Sequence, residues 1–219
     1  MKLQRFGGYA ALASVCAYLA TVILFAITLD RGRDLTDPAK MMETTSAAPG
    51  NLYAGYLLMA ASYIFILIMA LALHERMQSG APYLTGLLVI AAAAGTVMQI
   101  AETVIFIRQA ATIAQTQDVS AWRALTAITD GLHFTAGHLC AWTVLISGCA
   151  ILRTRSLSRI LGWVLFVTGI LWLPRFAVPQ LGLIPALLSC VGLIWTGIAL
   201  LRGKQPHPVS GKMTEAIQP

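Results

Sequence analysis

Two side chains in this sequence are of a type and in a place to do proton chemistry: Glu102, within the apolar run 92–108, and His138, within the apolar run 132–152. A carboxylate in hydrocarbon is costly and needs a partner, a proton or a wet cavity. An apolar pocket pushes such a carboxylate toward its protonated form, so that it can act as a general acid or a proton carrier. His138 complements it as base or hydrogen-bond donor, and Asp130 is placed to orient an imidazole. The catalytic candidates are therefore Glu102, His138 and Asp130. Gln99, Glu102, Phe106 and Gln109 recur at three- and four-residue steps and share one helix face, which should turn inward. Around them, His133, Phe134, Trp142, Trp172, Arg175, Tyr53 and Tyr56 are candidates for a substrate-binding wall. Their aromatic faces suit an apolar ligand or a carbocation. The same Glu–His pair could instead only fix helix packing, and the aromatics could be ordinary core or interface residues.

These residues sit in a chain of 219 residues that is 58% hydrophobic and only 11% charged. Its mean hydropathy is +0.74. That composition belongs to the membrane class. Six apolar stretches, 9–29, 52–73, 83–107, 132–152, 157–173 and 181–201, are predicted to cross a bilayer. They leave no room for a separate soluble domain. We expect one all-α, six-helix transmembrane domain over residues 1–202 and a disordered cytoplasmic tail over 203–219.

The net charge of +6 reports topology. With the N-terminus inside, the inner segments hold Lys2, Arg5, Arg76, Arg153, Arg155, Arg159, Arg202, Lys204 and Lys212 against Glu75 and Glu215. The outer segments balance. This positive-inside pattern predicts an inner (cell) membrane protein with both termini cytoplasmic. No nucleic-acid motif accompanies the charge, so the partners expected are the lipid bilayer and a lipophilic small molecule. The outer segment 30–51 is read as a polar loop, and 119–129 as a short interfacial helix before the fourth span, capped by Asp118 or Ser120.

Helical rise gives depths. Ending the third span at Arg108 and starting the fourth at Gly131 puts Glu102 and His138 both ~10 Å below the outer surface. No metal or cofactor is expected. His133 and His138 are ~140° apart on a helix, and Cys16, Cys140, Cys149 and Cys190 all fall inside spans with no CxxC pair.

Gly137-His-Leu, the run Gly148-Cys-Ala-Ile-Leu-Arg-Thr-Arg-Ser-Leu-Ser-Arg159-Ile-Leu-Gly162 and Gly169-Ile resemble the bacterial family called domain of unknown function 4386. The resemblance implies six helices, a glycine-bearing fourth helix followed by a short Arg-Ser turn, and a recurrent Glu in helix 3 that maps onto Glu102. Ser158 stands where the family commonly has Pro, and Ala136 and His138 stand where aromatics are usual. The resemblance implies no activity. From the residues, the expected function is an outer-leaflet pocket that binds a lipophilic, isoprenoid-like or lipid molecule, with acid-initiated isomerisation or cyclisation as its enzymatic form. A small proton-coupled transporter and a structural subunit are the alternatives.

Overall fold

The computed structural model describes residues 2–28, 37–176 and 183–202. Among these, seven α-helices and a single 3-10 turn account for the regular structure: α1 (Lys2–Thr28), α2 (Pro38–Ala47), α3 (Pro49–Met77), α4 (Pro82–Thr116), α5 (Val119–Thr154), α6 (Arg159–Trp172), the 3-10 turn Leu173–Phe176, and α7 (Leu183–Leu201). The tail from 203 onward and the segment 29–36 lie outside the described residues.

Local chemistry sets most helix starts. Proline occupies the first turn of α2, α3 and α4, where its missing N–H costs nothing. Asp37 caps α2 through its carboxylate, which accepts from the Ala39 N–H. Asp118 caps α5 by accepting from the N–H groups of Ser120 and Ala121. Gln117 ends α4 in the left-handed conformation, at φ 53°. Only Gln117 and Asp118 therefore separate a 35-residue helix from a 36-residue one.

Five helices are long and apolar enough to span a membrane: α1, α3, α4, α5 and the Ile184–Leu201 stretch of α7. Helix α6 is a shorter apolar helix of 14 residues. Six helices pack in a closed ring, each on the next in the order α1, α3, α4, α5, α6, α7 and back to α1. The ring closes where Gly8 and Gly197 meet, each so near that an added Cβ would lie 2.9 Å from the other's carbonyl oxygen. At one end, which we term the basic end, lie Lys2, Arg5, Arg76, Arg153, Arg155, Arg159 and Arg202. There the Arg76 guanidinium donates to the Ser156 carbonyl across 3.1 Å, tying α3 to the α5–α6 turn. The opposite, distal end holds α2 and the α4–α5 turn.

The distal end departs from the sequence expectation in three respects. The segment read as a polar loop contains α2, whose Met42 is fully buried with Trp122, Ala110 and Ala114. The third span does not stop near Arg108 but continues to Thr116. The short interfacial helix before the fourth span is absent as a separate element, because 119–129 is the first three turns of α5. The reason is common to the last two. Hydropathy marks where lipid ends, whereas helical backbone continues until a cap or breaker stops it; no Gly or Pro lies between Gly95 and Gly131, and α4 stops only at the left-handed Gln117. At ~1.5 Å per residue α4 and α5 are each over 50 Å long, against a hydrocarbon layer of about 30 Å. Their shared tip stands clear of it.

Candidate functional site

The register of the α4–α5 hairpin decides which ionisable groups meet. Glu102 lies fifteen residues before Gln117, and His133 fifteen after Asp118. They face each other: His133 Nδ1 is 3.3 Å from Glu102 Oε2. The same carboxylate oxygen accepts from Gln99 Nε2 at 2.7 Å. Gln99 donates to this oxygen, and in the tautomer with its proton on Nδ1 His133 does too, which together is the environment of a carboxylate acting as acceptor. The arrangement leaves Gln99 Oε1 buried without a hydrogen-bond partner. An orphaned buried acceptor costs about 1–3 kcal/mol. Holding the amide this way round thus favours the Glu102 contact at the expense of its own oxygen.

The partner that sequence depth assigned to Glu102 was His138, and the structure brings His133 there instead. Depth was counted from helix ends that are not ends. Glu102 is fourteen residues below Thr116, ~21 Å rather than ~9 Å from the tip of α4, and about 30 Å from Pro82 at the basic end. His138 is five residues further along α5, which turns it to another side of the helix, where its ring meets Trp142 edge-on with centroids 6.4 Å apart. Asp130 is exposed, and the carboxylate in contact with an imidazole here is that of Glu102.

The burial of the pair is asymmetric. The Glu102 side chain is 5% exposed and that of His133 32%. His133 opens on a cavity of about 280 Å³ enclosed by α1, α3, α5, α6 and α7. Apolar side chains form most of its wall, among them Val15, Phe25, Met59, Ile66, Val144 and Leu193. Several of its hydroxyls are bonded within the protein. Ser14 and Ser62 bond each other at 2.9 Å, Thr21 donates to Ala17 and Gly55 carbonyls, and Ser189 accepts from the Trp172 indole N–H at 2.7 Å. Toward the basic end the ring is filled by Leu73, Met77, Leu88, Ile151, Leu161 and Leu200.

Of the binding-wall candidates, His133 and Trp172 line this cavity. Gln99 lies behind it, buried on Glu102. Tyr56 stacks on Phe106 with centroids 4.1 Å apart and meets Phe25 edge-on. Tyr53 packs against the same distal cluster. Phe134 and Trp142 are exposed on the surface of α5. Arg175 lies in the 3-10 turn, and its side chain is outside the described ones. The contribution of α1 was not anticipated. Ser14, Tyr18, Thr21 and Phe25 all line the cavity, and their spacing of four, three and four is a helix-face signal hidden among alanines.

Chemically, a carboxylate that holds Nδ1–H of a histidine leaves Nε2 with a lone pair. Such a pair can accept a proton from a hydroxyl, or return one, at the cavity surface. Among the described residues there is no cluster of three His, Cys, Asp or Glu side chains suited to a metal ion.

The architecture is that of a helical, multi-pass membrane protein. Its chain belongs to the family described as Domain of unknown function (DUF4386), whose model matches residues 6–202. No curated protein and no solved structure matches it.

Proposed function

We propose that this protein binds a lipophilic small molecule in its central cavity, with the His133–Glu102 pair as the polar anchor. The observation that carries the reading is the asymmetric pair. An intramembrane carboxylate is placed behind a histidine that opens on an apolar chamber, which is how a few polar groups fix orientation in an otherwise greasy pocket. Acid/base conversion of the occupant uses the same two groups and is the enzymatic form of this proposal. A transport path gains no support from the plug of Leu73, Met77 and Leu88 beside Ile151 and Leu161 toward the basic end. The basic end faces the cytoplasm by the positive-inside rule, so α6 counts as the sixth span and the cavity opens in the outer half.

Gentle extraction followed by mass spectrometry of co-purifying small molecules tests the reading directly. A lipophile retained by the natural protein and lost from His133→Leu, with folding intact, supports it. Equal retention by both proteins, or none by either, overturns it.

A further inference from the structure

We infer that the occupant of the cavity is an uncharged lipophilic alcohol, its apolar body among Val15, Ile66, Val144 and Leu193 and its hydroxyl hydrogen-bonded to His133 Nε2. This rests on the cavity-binding reading above and narrows it to a chemical class. Three observations combine.

The first is the lack of charge on the wall. Among the described residues lining the cavity there is no Lys, Arg, Asp or Glu. A phosphate or carboxylate head group would find no Lys or Arg among them to pair with, and an unpaired buried charge costs several kcal/mol in a low-dielectric site. The second is the commitment of the wall's serine and threonine hydroxyls. Ser14, Ser62 and Thr21, with the Trp172–Ser189 contact, satisfy one another or nearby carbonyls. A ligand rich in polar atoms, such as a sugar, would have to break those bonds. The third is the state of His133. Its Nδ1 side is taken by Glu102, so Nε2 is the nitrogen left to pair with a ligand, and one hydroxyl, which can donate or accept, matches it in either tautomer. An apolar body with one hydroxyl satisfies all three. A pure hydrocarbon satisfies the first two and leaves the imidazole desolvated and unpaired.

The test uses the full-length protein in detergent micelles and three ten-carbon probes: geraniol, geranyl phosphate and the hydrocarbon myrcene. Cys140 and Cys190 both line the cavity. The readout is protection of these two thiols from a lipophilic maleimide, mapped by mass spectrometry, with Cys16 and Cys149 as reference sites. Geraniol is expected to protect saturably, with the phosphate and the hydrocarbon each at least tenfold weaker. In His133→Leu the advantage of alcohol over hydrocarbon should vanish. The comparison of three probes on the natural protein stands even where that variant fails to fold. Equal or tighter binding of geranyl phosphate overturns the inference. So does myrcene binding as well as geraniol, an outcome that leaves the cavity reading itself intact. Absence of protection by every probe, together with no co-purifying lipophile, overturns both.

Discussion

Glu102 and His133 are mirror positions of one helical hairpin, equidistant from the two-residue turn at Gln117 and Asp118, and their side chains meet at 3.3 Å. The contact is therefore written in chain length as much as in residue type. Adding one residue to α5 between Gly131 and Leu132 turns everything on one side of the insertion by ~100° relative to the other. Such an insertion should separate His133 from Glu102 while leaving the composition of the helix unchanged. Loss of any retained ligand, with helical circular dichroism preserved, is the expected outcome. Full retention would mean that the hairpin register does not matter.

The energy of the pair should be modest. Intramembrane polar contacts couple by about 0.6–2 kcal/mol, so a double-mutant cycle of Glu102→Gln with His133→Leu should give a coupling of ~1 kcal/mol. The same cycle with His138→Leu should be additive within about 0.5 kcal/mol. Thermal or denaturant unfolding in micelles reads both. Coupling to His138 as large as that to His133 would refute the assignment.

Glycine at the α5–α6 crossing is a packing requirement. A Cβ on Gly148 would lie 2.5 Å from the Phe166 backbone nitrogen, and one on Gly169 would lie 2.7 Å from the backbone of Leu145. Gly148→Ala and Gly169→Ala should each cost about 1–3 kcal/mol by overpacking. Gly131, with nothing within 4 Å of an added Cβ, should behave oppositely. Gly131→Ala should stabilise α5 by up to ~1 kcal/mol through helix propensity. Unfolding midpoints separate the two classes.

The cap at the tip of the hairpin is pH-sensitive. The Ala121 N–H, then the Ser120 hydroxyl and the Ser120 N–H, hold the Asp118 carboxyl below its ordinary value of 3.8. A group whose folded pKa is depressed contributes stability that is present above its unfolded pKa and lost as pH falls through the folded one. Protection of the Ser120 and Ala121 amides, taken relative to their intrinsic exchange rate at each pH, should fall only below about pH 4. Asp118→Asn, which caps without titrating, should remove that fall. Protection that stays constant through this range in the natural protein would contradict it.

What could be read from the residues, and what could not, divides along physical lines. Apolar runs located the helices because burying the backbone in lipid leaves no other fold. The inward face was legible from its spacing for Gln99, Glu102 and Phe106, which are buried, but not for Gln109 at its outer end, which is exposed. Of the glycines that carry the resemblance, Gly148, Gly162 and Gly169 turn out to be those of the α5–α6 crossing, whereas Gly137 lines the cavity with nothing within 4 Å of an added Cβ. These helix ends were not legible, since α4 and α5 continue past the apolar runs to a Gln117-Asp118 turn that holds neither Gly nor Pro. That error moved Glu102 from His133 to His138. Helix α2 was missed although Asp37-Pro38 is a standard start signal, because alternating charges nearby suggested a loop. The polar face of α1 was missed because serine and threonine bonded to neighbouring backbone are nearly silent in a hydropathy profile.

The contact of Gly8 with Gly197 has a temporal side. Helix α1 finds its second neighbour only when α7 has been made, so the chamber has no complete wall until that helix has emerged. A nascent chain halted after α6 would hold an open horseshoe, with Ser14 and Tyr18 facing lipid or a chaperone. Because α1 and α7 are adjacent, linking them and cutting elsewhere, between α4 and α5 for example, should let the order of assembly be rearranged without altering the finished ring.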